Sequence, residues 1–125
     1  MARLGACLLA AVLTTSAFAS TYTVTSTSDS GAAGALRSAI GQANGHAGAD
    51  SVVFSAGMAG KTILPLSPLP ALTDNQTTIN GDFNGDGDPD ILLSGARQGS
   101  GSGLWLDGAD FCTTRGLAIE NMPSR

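Results

Sequence analysis

Five oxygen-bearing side chains, Asp82, Asn84, Asp86, Asp88 and Asp90, recur at every second position of the run Asp82-Phe-Asn-Gly-Asp-Gly-Asp-Pro-Asp90. Carboxylates at this spacing suit a hard divalent cation, because calcium takes several oxygen ligands at once. Asp82, Asn84 and Asp86 can converge on one point, Gly87 permits a sharp bend, Asp88 can offer its carbonyl and Asp90 closes the loop. Without a cation, carboxylates so close together repel one another. Calcium in a structural role is the expected cofactor, with these five as the expected metal residues. The simpler alternative is an Asx/Gly turn that binds nothing.

The elements that hold this run are expected to be strands. A helix–loop–helix calcium motif needs Glu at loop position twelve, and that position is Leu93. The following Ile91-Leu-Leu-Ser-Gly95 is a short apolar run ending in Gly, which suits a strand. The loop is thus expected between strands Thr77–Asn80 and Ile91–Ser94, holding a long turn in one shape. Tyr22 and Val24 alternate with Thr, and short strand patterns recur at Val52–Phe54, Lys61–Leu64, Leu104–Leu106 and Leu117–Glu120. Pro65, Pro68 and Pro70 predict a loop from Pro65 to about Asp74.

One helix is predicted over Gly34–Asn44. Leu36, Ala39, Ile40 and Ala43 share one narrow apolar face, and Asn44-Gly45 suits a helix end because both residues tolerate left-handed backbone. The helix is short and interrupted by Gly41, so it needs a surface to pack on.

The first nineteen residues read as a signal peptide. Arg3 precedes an apolar stretch from Leu4 to Leu13, and Ala17-Phe18-Ala19 places small residues where a signal peptidase reads, predicting cleavage after Ala19. The apolar stretch is short for a membrane span, and no later segment is long and apolar enough to cross a bilayer, so a secreted or cell-surface location is expected. Cleavage leaves Arg37, Lys61, Arg97, Arg115 and Arg125 against ten acidic residues. With no basic patch, and with Trp105 and Tyr22 isolated, nucleic acid is not an expected partner. Cys112 alone survives cleavage, which excludes an intramolecular disulfide in the processed chain and reads as a small buried apolar side chain.

No catalytic constellation emerges. His46 lies in an Asn-Gly-His-Ala-Gly turn and reads as a solvated loop histidine. Asp107 and Asp110 flank a Gly-Ala turn near Arg115, a set that reads first as a turn between strands and second as a lyase- or hydrolase-like cluster. Asn75-Gln-Thr77 matches the N-glycosylation acceptor pattern and marks an exposed loop.

Several blocks stand together in order. Thr21-Tyr-Thr-Val-Thr-Ser is followed by Gly34-Ala-Leu-Arg-Ser-Ala-Ile-Gly-Gln-Ala-Asn44 and by Gly48-Ala-Asp-Ser-Val-Val-Phe54. Leu69-Pro-Ala-Leu-Thr-Asp-Asn-Gln-Thr-Thr-Ile-Asn-Gly81 and Gly116-Leu-Ala-Ile-Glu-Asn121 come later. This succession is similar to the CSLREA-type N-terminal region of secreted right-handed parallel β-helix proteins. At the eponymous hexapeptide Leu36, Arg37 and Ala39 match, while the Cys, Ser and Glu do not. The resemblance covers about Thr21 to Asn121. It implies a mainly β fold, in which an N-terminal capping helix precedes the first coils of a right-handed parallel β-helix. It also implies that Leu36, Ile40 and Ala43 face the first coil and that Arg37 sits on the flank, paired with a carboxylate.

A β-helix needs several coils and a cap at each end, and this chain stops just after a strand. An incomplete β-helix, the N-terminal piece of a longer protein, is therefore expected. The expected divisions are 1–19 (signal peptide), 20–60 (first strand, capping helix and next strand) and 61–125 (initial coils, with the acidic loop at 82–90). The expected function is an adhesive or scaffolding segment, not an enzyme, with glycans or cell-surface ligands as partners. The alternatives are the N-terminal part of a carbohydrate-active β-helix enzyme (a polysaccharide lyase or glycoside hydrolase) and another all-β calcium-binding module.

Overall fold

The computed structural model describes residues 18–99, 104–105 and 111–122. Within them the chain is mainly strands in two parallel sheets, with one short α-helix. The order is β1 (Thr21–Val24), α1 (Leu36–Asn44), β2 (Ser51–Phe54), a 3-10 turn (Ala56–Met58), β3 (Thr62–Ile63), β4 (Thr78–Asn80), β5 (Ile91–Ser94), β6 (Thr113–Arg115) and β7 (Leu117–Glu120). The strand order is β1-β2-β4-β6 in one sheet and β3-β5-β7 in the other, with every pairing parallel. From β2 onward, successive strands alternate between the two sheets.

The period of two along each strand places alternate residues on the inner face, and the register stacks them in columns. Tyr22 pairs with Val52, Val52 with Ile79 and Ile79 with Thr114. Across the core, Ile63 pairs with Leu93 and Leu93 with Ile119. Val52, Ile79, Ile63 and Leu93 are buried. Thr114 is exposed and Ile119 is 45% exposed, so burial falls off at β6 and β7.

At the opposite end α1 packs on β1 and β2. Its buried residues are Leu36, Ala39, Ile40 and Ala43, the face expected from their spacing. The helix begins two residues later than Gly34, because Gly34 has φ +93° and its carbonyl accepts the amides of Thr25 and Ser26. It ends at Asn44, as expected, but without the left-handed backbone that the Asn-Gly pair would tolerate. Gly45 is right-handed, with φ −89°. The Asn44 side chain leaves the helix to bind the loop, its amide donating to Ala71 O at 2.7 Å and its Oδ1 accepting Thr73 N at 2.9 Å.

The proline-containing loop after β3 is thereby fastened to the helix, and Leu69 and Leu72 are buried in the core. Arg37 fastens it a second time. Its guanidinium forms a bidentate pair with Asp29, Nε to Oδ1 at 2.8 Å and Nη2 to Oδ2 at 2.9 Å, and also donates to the carbonyls of Ser67 and Pro68. The expected pairing of Arg37 with a carboxylate is thus observed.

Two strand expectations change. Leu104 and Trp105 lie outside any strand, although Trp105 O accepts the amide of Leu72; Leu106 is outside the described residues. β6 was not predicted, because Thr113-Thr-Arg115 carries no apolar alternation and all three residues are exposed. Its place comes from backbone pairing with β4. Cys112, just before it, is a half-buried thiol that donates to Asp74 O at 3.2 Å. The signal-peptide expectation falls largely on residues 1–17, outside the described residues. Among those described, no helix is long and apolar enough to cross a membrane.

Candidate functional site

The acidic run occupies the connection between β4 and β5, as expected. The next connection of the same kind, between β6 and β7, is the single residue Gly116. The acidic run is thus a long outgrowth at a corner that the chain can also turn with one glycine. Its base is pinned from both sides. Gly81 N donates to Arg115 O at 2.9 Å and Ile91 N to Gly116 O at 3.3 Å, while Asp90 O accepts Gly60 N at 2.7 Å.

Inside the outgrowth the side chains bind the loop's own amides. Asp82 accepts Gly85 N at 2.7 Å and Gly87 N at 3.0 Å. Asn84 Oδ1 accepts Asp86 N, Asp86 Oδ1 accepts Asp88 N and Asp90 Oδ2 accepts Phe83 N. Gly85 and Gly87, at φ +76° and +91°, supply the left-handed bends these turns require. The Asn84 amide also donates to Asp86 Oδ2 at 2.8 Å. Asn84 and Asp86 thus form two consecutive Asx turns, while Asp82 and Asp90 bind more distant amides of the loop. Among the described residues, no group of three or more His, Cys, Asp or Glu side chains is placed to hold a metal ion.

Two observations bear on whether the loop suits a cation. Its donors are all oxygens on exposed or half-exposed residues, the chemistry that calcium prefers. Asp82 is also held ionised. Desolvation there pushes its pKa up, but the amides of Gly87 and Gly85, the charge of Arg115 and the amide of Asp86 outweigh it and hold the carboxyl below its ordinary value. Arg115 belongs to this corner, with Nε donating to Asn80 Oδ1 at 3.1 Å. Asp107 and Asp110, considered with Arg115 from the sequence, lie outside the described residues.

No family model, no curated protein and no solved structure matches this chain.

A second cluster was not anticipated. His46 is not simply a solvated loop residue: its side chain is 39% exposed, yet both ring nitrogens are engaged. Nδ1 lies 3.0 Å from Asp50 Oδ1 and Nε2 lies 3.2 Å from Ser20 Oγ. Asp50, whose side chain is fully buried, also accepts the backbone amide of Ser20 at 2.9 Å. The one local signal was the four-residue spacing of His46 and Asp50 around Gly48, which has φ +126°. The approach of Ser20 has no local signal, because it follows from the pairing of β1 with β2. Asn75 of the Asn-Gln-Thr sequon is exposed, as expected, whereas Thr77 is buried.

Proposed function

We propose that this chain is the capped N-terminal part of an exported right-handed parallel β-helix with an adhesive or scaffolding role. The observation that carries the reading is the in-register alternation of strands between two parallel sheets, with α1 packed at the β1 end. That arrangement is how a parallel β-helix begins. Right-handedness follows from the rule for parallel crossovers. Removal of a leader from residues 1–19 belongs to the same proposal.

Glycans or other hydroxyl-rich surface ligands are the proposed partners. A surface depression of about 350 Å³ lies between the turn after β1, β3 and Arg97. Thr27, Ser28, Asp29, Thr62 and Arg97 line it with hydrogen-bonding groups, beside Leu64 and Leu66. Such a lining suits a sugar better than an apolar ligand. A glycan panel probed with the labelled protein should show binding without turnover, and Arg97→Ala should weaken it by about tenfold, the loss of one charge-assisted contact. Cleavage of a bound polysaccharide would replace the adhesive reading with an enzymatic one.

In the acidic outgrowth, Asp82, Asn84, Asp86, Asp88 and Asp90 would hold calcium, and the ion's two positive charges would offset half of the charge of four neighbouring carboxylates. With no Glu at Leu93 to act as a bidentate ligand, binding is expected to be weak, at a Kd of about 1 mM. About 10 mM calcium then stabilises the fold by about 1.4 kcal/mol, a rise in Tm of roughly 5–10 °C. Asp86→Ala should abolish the rise. Superimposable melts in calcium and in chelator would sink the clamp.

A further inference from the structure

Asp50 is the one fully buried acidic residue among the described residues. A carboxylate so far from water needs compensating charge as well as hydrogen bonds. It is faced by His46 Nδ1, at 3.0 Å from Oδ1 and 3.2 Å from Oδ2, and by the backbone nitrogen of Ser20, at 2.9 Å from Oδ1. Among the described residues no Lys or Arg forms an ion pair with it. A peptide N–H offers only a dipole, and the His46 imidazole brings a full positive charge only when it is protonated.

Ser20 is positioned to bring one. It directly follows the small-residue pattern Ala17-Phe18-Ala19. Hydrolysis of the Ala19–Ser20 bond consumes one water, breaks the C–N bond, and leaves a carboxylate on Ala19 and an α-ammonium on Ser20. An α-amino group ordinarily titrates at about 7.7–8.0, so near pH 7 most of it is charged. Phe18 is 78% exposed and Ala19 is exposed, so their loss uncovers no core. Ser20 itself is held in place, because its carbonyl accepts Ser51 N at 2.8 Å and its hydroxyl meets His46 Nε2.

We propose that maturation after Ala19 converts the Ser20–Asp50 hydrogen bond into a buried ion pair that locks β1 at the sheet edge and secures the capped end. The inference rests on the reading of residues 1–19 as a removable leader. A charge-assisted bond of this kind is about twice as strong as its neutral counterpart. β1 is an edge strand of its sheet, held by its pairing with β2 and by the packing of α1.

The test compares residues 20–125 bearing a free Ser20 amine with the same chain acetylated at that nitrogen, which keeps an N–H but removes the charge. Near pH 7, acetylation should lower Tm by roughly 5–10 °C. In Asp50→Asn the same acetylation should cost less than about 2 °C. Hydrogen exchange at the β1 amides is read on the two Asp50 chains, so the test survives if Asp50→Asn does not fold; faster exchange after acetylation is expected. Equal melts and equal exchange for free and acetylated chains overturn the ion pair, as does an undiminished effect of acetylation in Asp50→Asn. An exported protein whose first residue is not Ser20 overturns the maturation step together with the leader reading, while the prepared chains still decide the pairing.

Discussion

Arg37→Ala should lower the unfolding free energy by about 3 kcal/mol, the scale on which one partner of a buried ion pair is lost, and Tm by roughly 15 °C. Arg37 joins three segments that are distant in sequence: the turn carrying Asp29, the helix, and the loop carbonyls of Ser67 and Pro68. Removing it leaves the Asp29 carboxylate, only 5% exposed at its side chain, without its cation. Arg37→Lys should recover less than half of the loss, because an ammonium cannot span both carboxylate oxygens and both carbonyls.

The same pair predicts a pH dependence. The hydrogen bonds from Arg37 hold the Asp29 pKa below its ordinary 3.8; burial works against them, and the amide of Leu66 and the charge of Arg37 add to the lowering. The folded state therefore binds the Asp29 proton less readily than the unfolded state does. Its stabilisation is complete above the ordinary carboxylate value and is lost as pH falls below that value through the lowered folded one. Denaturant melts from pH 6 down to pH 2 should show this loss in the parent chain and a flatter profile in Arg37→Ala. Parallel profiles would place the acid sensitivity at another carboxylate.

Gly116→Ala is expected to be at least as damaging, at roughly 4 kcal/mol, by a different mechanism, backbone strain added to overpacking. Gly116 has φ +70°, which strains any residue with a side chain. An added Cβ would also overlap the backbone of Gly81 and Asp82 in the adjacent corner. Backbone cannot rotate aside as a side-chain end can, so the two corners must separate. Gly81 is constrained reciprocally, since its Cβ would lie 2.6 Å from Gly116 O. Hydrogen exchange should show β6 and β7 losing protection before β2 and β4. Unchanged protection at β6 and β7 would mean that the glycine contact does not hold the corners together.

The corner also explains why the acidic run and its place between two strands could be read from the sequence while its contacts could not. Alternating acidic residues with glycines mark a turn whatever surrounds them. That Arg115 lies beside Asn80 depends on the pairing of β4 with β6, a contact across 35 residues. The hydrogen bonds within the run likewise depend on how its two ends are pinned.

Local spacing was sufficient for the apolar face of α1, for the alternation in β1 and β2, and for the loop between β4 and β5. Each reflects a short-range period of the backbone, 3.6 residues in a helix and two in a strand, so the residues concerned carry the signal themselves. Only the tertiary structure decided that polar Thr113–Arg115 is a strand, that Asn44 ends the helix by binding a distant loop, and that Ser20 and His46 meet at Asp50. These outcomes depend on which strand lies beside which and in what register. Partner choice of that kind is made by backbone hydrogen bonds and by burial across the whole core, and no period within a single segment records it.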